Sequence, residues 1–399
     1  MQLKKAEVMN MHSDPDTIDN GLAGLAEMRS GLEPHIREME ELCHLPQAVV
    51  DKLRQIGIFR MLAPRRFGGQ EMRFPSALEL IRRISTVDAS IAWVAAINSS
   101  GCLILPKLPL ASLERIYGSG PDQIIAGSAQ AQGVGKRVAG GWQITGRWPL
   151  ASGCMAAEWI LTCFKEDQAL DPVVRAAMLP ANECRIEQTW RAMGLRGTGS
   201  HHICLDDVFV ADDFVFSISA PPLALDGPLY RQPAHLIALM HGAVQLGVAQ
   251  AAVMDVMDLL RQGSLTDKEG RRELAQFELG VCHAKLKATE SAFEQQVKSD
   301  WANALEMGPV DPLRLAATIQ LGVFIARATL DIVRRCFELA GSTAVYEHSP
   351  LQRRLRDIQV ATQHGLISRA NFIAGGKALM ETVDLDLRNG GIFDDRNVK

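Results

Sequence analysis

Late in the chain the stretch RLRDIQVATQHGL, Arg354 to Leu366, places His364 beside Gly365. Histidine is the side chain whose ordinary pKa lets it move a proton near neutral pH, so His364 is a candidate catalytic base, with a structural role as the alternative. Asp357 lies seven residues earlier. On a helix two turns span about 10 Å, too far for a direct bond to His364, so an ion pair with an arginine is expected for Asp357. Ser152, in WPLASGC, carries a hydroxyl that either donates into a site or closes a turn before Gly153. Asn98, Ser99 and Ser100 interrupt an apolar run, which suits either the lining of a substrate pocket or structural capping. Arg261 ends DLLRQG and is either a fork for a phosphate or a solvated helix-end cation. Ser128 in AGSAQAQG and Ser200 after RGTG are further hydroxyls in glycine-rich sequence.

Several familiar devices are absent. Gly133 and Gly135 start a dinucleotide fingerprint that fails at Val138, and Gly197 and Gly199 start another that fails at His202. Gln130 stands where a phosphate loop ending at Lys136 would need its first glycine. There is no HExxH, no GxSxG, and no ligand at metal spacing near His201 and His202, so no metal site is expected. Any cofactor is held without these motifs.

Three regions position these residues. Residues 1–120 read as a helical domain, with three- and four-residue apolar spacing in DTIDNGLAGLAEMRSGLEPHIREMEEL and LPQAVVDKLRQIGIF, and a cap cluster in STVDASIAWVAAI. Residues 121–229 change period: KRVAGGWQITGRW alternates around Gly-Gly, and EWILTCF, RAAMLP, HHICLDDVFV and FVFSI are short strands of a small antiparallel β domain. Residues 230–399 read as four long helices, the last from about Pro350, hence a four-helix bundle. The class is α+β, mostly α. A net charge of −4 disfavours nucleic acid as a partner. The eight scattered cysteines suit reduced thiols in the cytoplasm, and no run of eighteen apolar residues suggests a membrane span.

The order of the regions resembles the acyl-CoA dehydrogenase fold. PRRFGG, VAGGWQITGRWPLASGC, MGLRGTGSHHICLDDVFV and AGSTAVYEHSPLQRRLRD resemble its motifs in order along nearly the whole chain. Most of that family carries a glutamate base nine residues after the arginine of the last helix's RD; counted from Arg356, that position is Gly365. A minority carries it on the first bundle helix, near Ile237 here. Neither residue is acidic, and a histidine precedes the first. This is similar to the flavin-dependent monooxygenase branch, in which a separate reductase supplies FMNH2 or FADH2 and O2 then oxidises a small hydrophobic or aromatic substrate through a peroxyflavin. The resemblance implies site roles for His364 and Ser152, flavin contacts from Trp148, Ser128, Arg261 and Ser200, substrate contacts from Asn98 and Ser99, and a homotetramer. A flavin desaturase of the acyl-CoA dehydrogenase type, or a non-catalytic scaffold of the same fold, is the alternative.

Overall fold

The computed structural model describes residues 34–167, 173–231, 233–263, 269–307 and 312–382. The first expected helix therefore lies partly outside the described residues; its remainder is helical over 34–42. Helices α1 (Gln47–Gln55), α2 (Phe74–Val87), α3 (Ala89–Ile104) and α4 (Leu110–Ile116) follow. Helix α3 starts where expected: the Asp88 carboxylate accepts from the amides of Ser90 and Ile91 at 2.9 and 3.0 Å, satisfying two otherwise orphaned donors.

The β domain comprises β1 (Ile125–Val138), β2 (Gly141–Ala151), β3 (Trp159–Glu166), β4 (Val174–Pro180), β5 (Arg185–Glu187), β6 (His201–Ala211) and β7 (Val215–Phe216). They form one sheet in the order β5-β6-β2-β1-β3-β4-β7. The β1–β2 hairpin turns at Gly140, as the Gly-Gly signal indicated. The sheet is not wholly antiparallel, because β1 and β3 run parallel. The cause is the connection. Strand β2 ends where β1 begins, the chain crosses that end, and Trp159 starts alongside Ile125. That crossing segment begins with Ser152 and Gly153. Just before it, β2 is bulged and Leu150 sits at φ 64°, a left-handed conformation that re-aims the chain.

Helices α5 (Pro233–Arg261), α6 (Glu269–Glu306) and α7 (Pro312–Ala340) form the bundle. The expected fourth long helix is instead two helices of 12 residues, α8 (Pro350–Ala361) and α9 (Asn371–Thr382). The stretches Ala89–Lys107 and Leu236–Arg261 are long and apolar enough to cross a membrane, yet 89% of the 18-residue apolar window in each is buried inside the protein: their hydrophobicity serves the core. Helices α2 and α5 meet at Gly247, where a Cβ would stand 2.3 Å from the Arg82 carbonyl oxygen, and Ser85 Oγ donates to the Val244 carbonyl at 2.6 Å. This close approach fixes α5 against the N-terminal domain, and α3 also packs on α5.

Candidate active site

Helix α8 stops at Ala361, short of His364. Thr362 Oγ1 turns back to the Gln359 carbonyl, and His364 swings out to ψ 139°, capping the tight turn Gly365–Ile367. His364 Nδ1 accepts from the Leu366 amide at 3.3 Å. In the neutral ring the proton is therefore assigned to Nε2. A near-neutral pKa is not what the structure gives: burial pushes His364 down to about 4. At pH 7 it is a neutral imidazole that presents an N–H.

His364 does not stand alone. Its ring lies 4.1 Å from that of His241, at 31°, and Trp93 meets both rings edge-on, at 5.3 Å from His241 and 5.7 Å from His364. His241 is 2% exposed. Its Nδ1 lies 3.0 Å from the Ile237 carbonyl, which can only accept, so Nδ1 carries the proton and Nε2 is bare. That Nε2 is buried without a partner. Burial, with His364 adding to it, holds His241 well below the usual imidazole range. The pair thus divides its roles: His364 offers a proton and His241 a lone pair. His241 lies one turn beyond Ile237, the alternative family position for a base, and sequence alone does not single it out. The available signal was a histidine within a run whose other polar side chains are Gln245 and Gln250, LIALMHGAVQLGVAQAAV.

From Trp93 the cluster continues into the β domain. The indole N–H donates to Ser152 Oγ at 3.2 Å, Ser152 Oγ lies 2.8 Å from Ser200 Oγ, and Ser200 Oγ lies 2.7 Å from Thr198 Oγ1. All three hydroxyl residues are buried. Asn98 Nδ2 donates to the carbonyls of Ile125 and Ser152 at 3.0 and 3.1 Å, tying α3 to the start of β1 and to the crossing segment. Asn98 Oδ1 is buried and unpartnered, and a Cβ at Gly153 would stand 2.3 Å from it. His364, Ser152, Ser200 and Asn98 are therefore brought together through Trp93 and His241, neither of which was anticipated.

The remaining residues lie elsewhere. Ser99 is buried, and its hydroxyl bonds the Ile58 carbonyl at 3.4 Å. Trp148, expected beside a flavin ring, is buried inside the sheet. Its N–H donates to the Cys163 carbonyl at 2.7 Å, and a Cβ at Gly133 or Gly146 would stand 2.2 or 2.6 Å from the ring. Ser128 sits at a β1 bulge, where its Oγ lies 3.5 Å from the Gln130 amide. Arg261 is exposed and pairs with Asp258 at 3.2 Å. Among the described residues no arginine lies within ion-pair distance of Asp357, although Arg353 is near enough to act on its charge. Asp357 accepts from the Leu195 amide at 2.6 Å, while Arg353 approaches Asp88 at 3.8 Å. Burial, and then Asp88 nearby, push Asp357 up to about 7. Among the described residues no cluster fit to hold a metal occurs.

Does this arrangement fit a reduced flavin? The reduced ring bears N–H groups, and among the described residues Asn98 Oδ1 and His241 Nε2 are buried acceptors that lack donors, while Gln245, one turn beyond His241, leaves both a donor and an acceptor unpartnered. At Gly365, where the resemblance to the acyl-CoA dehydrogenases would put a carboxylate base, a Cβ would meet nothing within 4 Å. The residues present fit the group.

Comparison with known proteins identifies the family. The description "Acyl-CoA dehydrogenase, N-terminal domain" matches residues 26–107, and "Acyl-CoA dehydrogenase, C-terminal domain" matches residues 239–369. Indole-3-acetate monooxygenase of Pseudomonas putida is 33% identical over 85% of this chain and 88% of its own length. The flavin-dependent monooxygenase oxygenase subunit HsaA of Rhodococcus jostii is 26% identical over 84% of this chain and 91% of its own. In structure, XiaF from Streptomyces, solved with FADH2 and glycerol, superposes with TM-score 0.86 at 22% identity, covering 96% of this chain and 98% of XiaF.

Proposed function

Because this chain belongs to the acyl-CoA dehydrogenase family, as the oxygenase component of a two-component flavin-dependent monooxygenase, we propose that its substrate is a small planar aromatic of the indole or phenol kind. Membership implies a separate reductase that supplies reduced flavin. The observation that carries the substrate reading is the cluster of Trp93, His241 and His364 beside Ser152, an aromatic wall with one N–H and one bare nitrogen. The likeness to an enzyme named for indole-3-acetate supports the same class.

When bound, the reduced flavin activates O2 for transfer of one oxygen atom to the substrate. The chain's own residues supply the rest. Ser152 and Asn98 would hold the polar edge of the ring system. The apolar surround excludes water. His364 holds a proton at Nε2 without becoming a cation, so it orients a substrate oxygen or nitrogen by donating to it. His241 keeps an unprotonated nitrogen one ring behind. A carboxylate base, which dehydrogenation of an acyl-CoA needs, is absent from both family positions, Gly365 and the turn around Ile237. The test is to supply FMNH2 or FADH2, O2 and a panel of indoles and phenols. A product heavier by one oxygen atom is expected. Turnover of an acyl-CoA to its enoyl form, with the aromatics untouched, would overturn the reading.

A homotetramer fits the same reading. The stretch Leu313–Ala344 holds an 18-residue window apolar enough to cross a membrane, yet only 44% of that window is buried within one chain, and Phe324, with Val345 and Tyr346 just beyond the stretch, is at least half exposed. Other copies of the chain would cover that face. Light scattering should give about four times 43.6 kDa. A species of 43.6 kDa, stable at micromolar concentration, would contradict it.

A further inference from the structure

The hydroxyls that reach the site form a chain whose two ends admit only one direction. At one end Trp93 Nε1 can only donate, and it donates to Ser152 Oγ. At the other end the Leu195 carbonyl can only accept, and it accepts from Thr198 Oγ1 at 2.8 Å. Between them stand three hydroxyls with one proton each and two links of 2.8 and 2.7 Å. If every link is made, Thr198 donates to Leu195, Ser200 to Thr198 and Ser152 to Ser200. A Ser152 proton turned into the site would leave one of these buried links unmade.

We infer that this chain is polarised away from the site, so that Ser152 and Asn98 present acceptors only, and that Thr198 and Ser200 thereby act as positioning residues that favour reduced over oxidised flavin. The inference rests on the reading of the site as a reduced-flavin site. Its chemistry is general: the reduced ring carries N–H groups where the oxidised ring has bare nitrogens, and a bare nitrogen facing an acceptor gains no hydrogen bond. From sequence Ser152 either donates into a site or closes a turn; the network commits its proton elsewhere and leaves a lone pair. The anchor of the chain is itself held. Leu195 stands at φ 49°, its amide is bonded by Asp357, and its carbonyl also accepts from Trp190 Nε1 at 3.0 Å.

The experiment is equilibrium binding of FMN and FAD in both redox states, without oxygen and without substrate. The wild type should bind the reduced state more tightly. Thr198→Val keeps the shape but removes the terminal link, so Ser200 can donate back to Ser152 and free the Ser152 proton for the site. The preference for the reduced state should then fall about fivefold, the worth of one net hydrogen bond. Ser200→Ala frees the same proton by another route and should act alike, while Thr198→Ser should restore the wild-type ratio. Either Thr198→Val or Ser200→Ala keeping the wild-type ratio while folded overturns the inference and leaves the site reading intact. A wild type that binds neither redox state overturns the site reading itself.

Discussion

His364→Ala should lower product formation by about 10²-fold or more while reduced flavin still binds and still consumes oxygen, released as hydrogen peroxide. The variant removes the N–H at the edge of the cluster but leaves Ser152, Asn98 and the hydroxyl chain untouched. Its packing against Trp93 and His241 is lost, which should cost about 1–2 kcal/mol and leave the fold intact. The pH dependence of stability gives an independent mark. The folded value of about 4 lies below the ordinary 6.5, so between them the unfolded chain binds a proton that the folded chain does not. Stability from this group is therefore full above 6.5 and declines as the pH falls toward 4. Asp357, raised from 3.8 to about 7, acts with the opposite sign between those values, but it is present in both proteins and cancels in the comparison. Urea midpoints measured across that range should show a shallower acid decline for the variant. Normal product yield with an unchanged decline would make His364 a bystander.

Gly194→Ala should be the most damaging single methyl at the site. A Cβ there would stand 2.1 Å from the Arg356 carbonyl oxygen, 2.3 Å from its carbon and 2.6 Å from the Asp357 nitrogen. All three are backbone atoms of α8, so no rotamer relieves the clash. The loop through Leu195 must leave α8, breaking the bond from the Leu195 amide to Asp357 and the bond of 2.7 Å from Arg356 to the Met193 carbonyl. The expected loss is about 2–4 kcal/mol, seen as a fall of several degrees in Tm. Binding of reduced flavin should weaken with it, because the hydroxyl chain ends on Leu195. A variant with wild-type Tm and wild-type binding would show that this loop is not fixed from α8.

These effects trace a boundary in what the sequence could tell. The three regions were legible because burial imposes period: Leu236 to Arg261 is apolar enough to be core on any reading, and the alternation around Gly140 marks a hairpin. The parallel β1–β3 pair was not legible, since it depends on where a loop crosses rather than on strand composition. Asn98, Ser152 and Ser200 could be suspected singly, as polar residues in apolar or turn sequence. Their assembly could not be seen, because it passes through Trp93 and His241, whose neighbours in sequence are ordinary core residues. The seat of Trp148 inside the sheet was not legible for the converse reason. An aromatic residue in a strand can face either side of the sheet, and the glycines at 133 and 146 that make room for it are distant in sequence. Asp357 carried a motif's arginine neighbours but was used by a backbone amide from another domain.

The most direct test of the whole account follows a single oxygen atom. The enzyme would be loaded with reduced flavin without oxygen, given an indole or phenol substrate, and exposed to isotopically labelled O2, with the product analysed by mass spectrometry. The account predicts one labelled oxygen atom in the wild-type product and little labelled product from His364→Ala. An unlabelled product, or all of the label recovered as peroxide from the wild type across the whole panel, would contradict it.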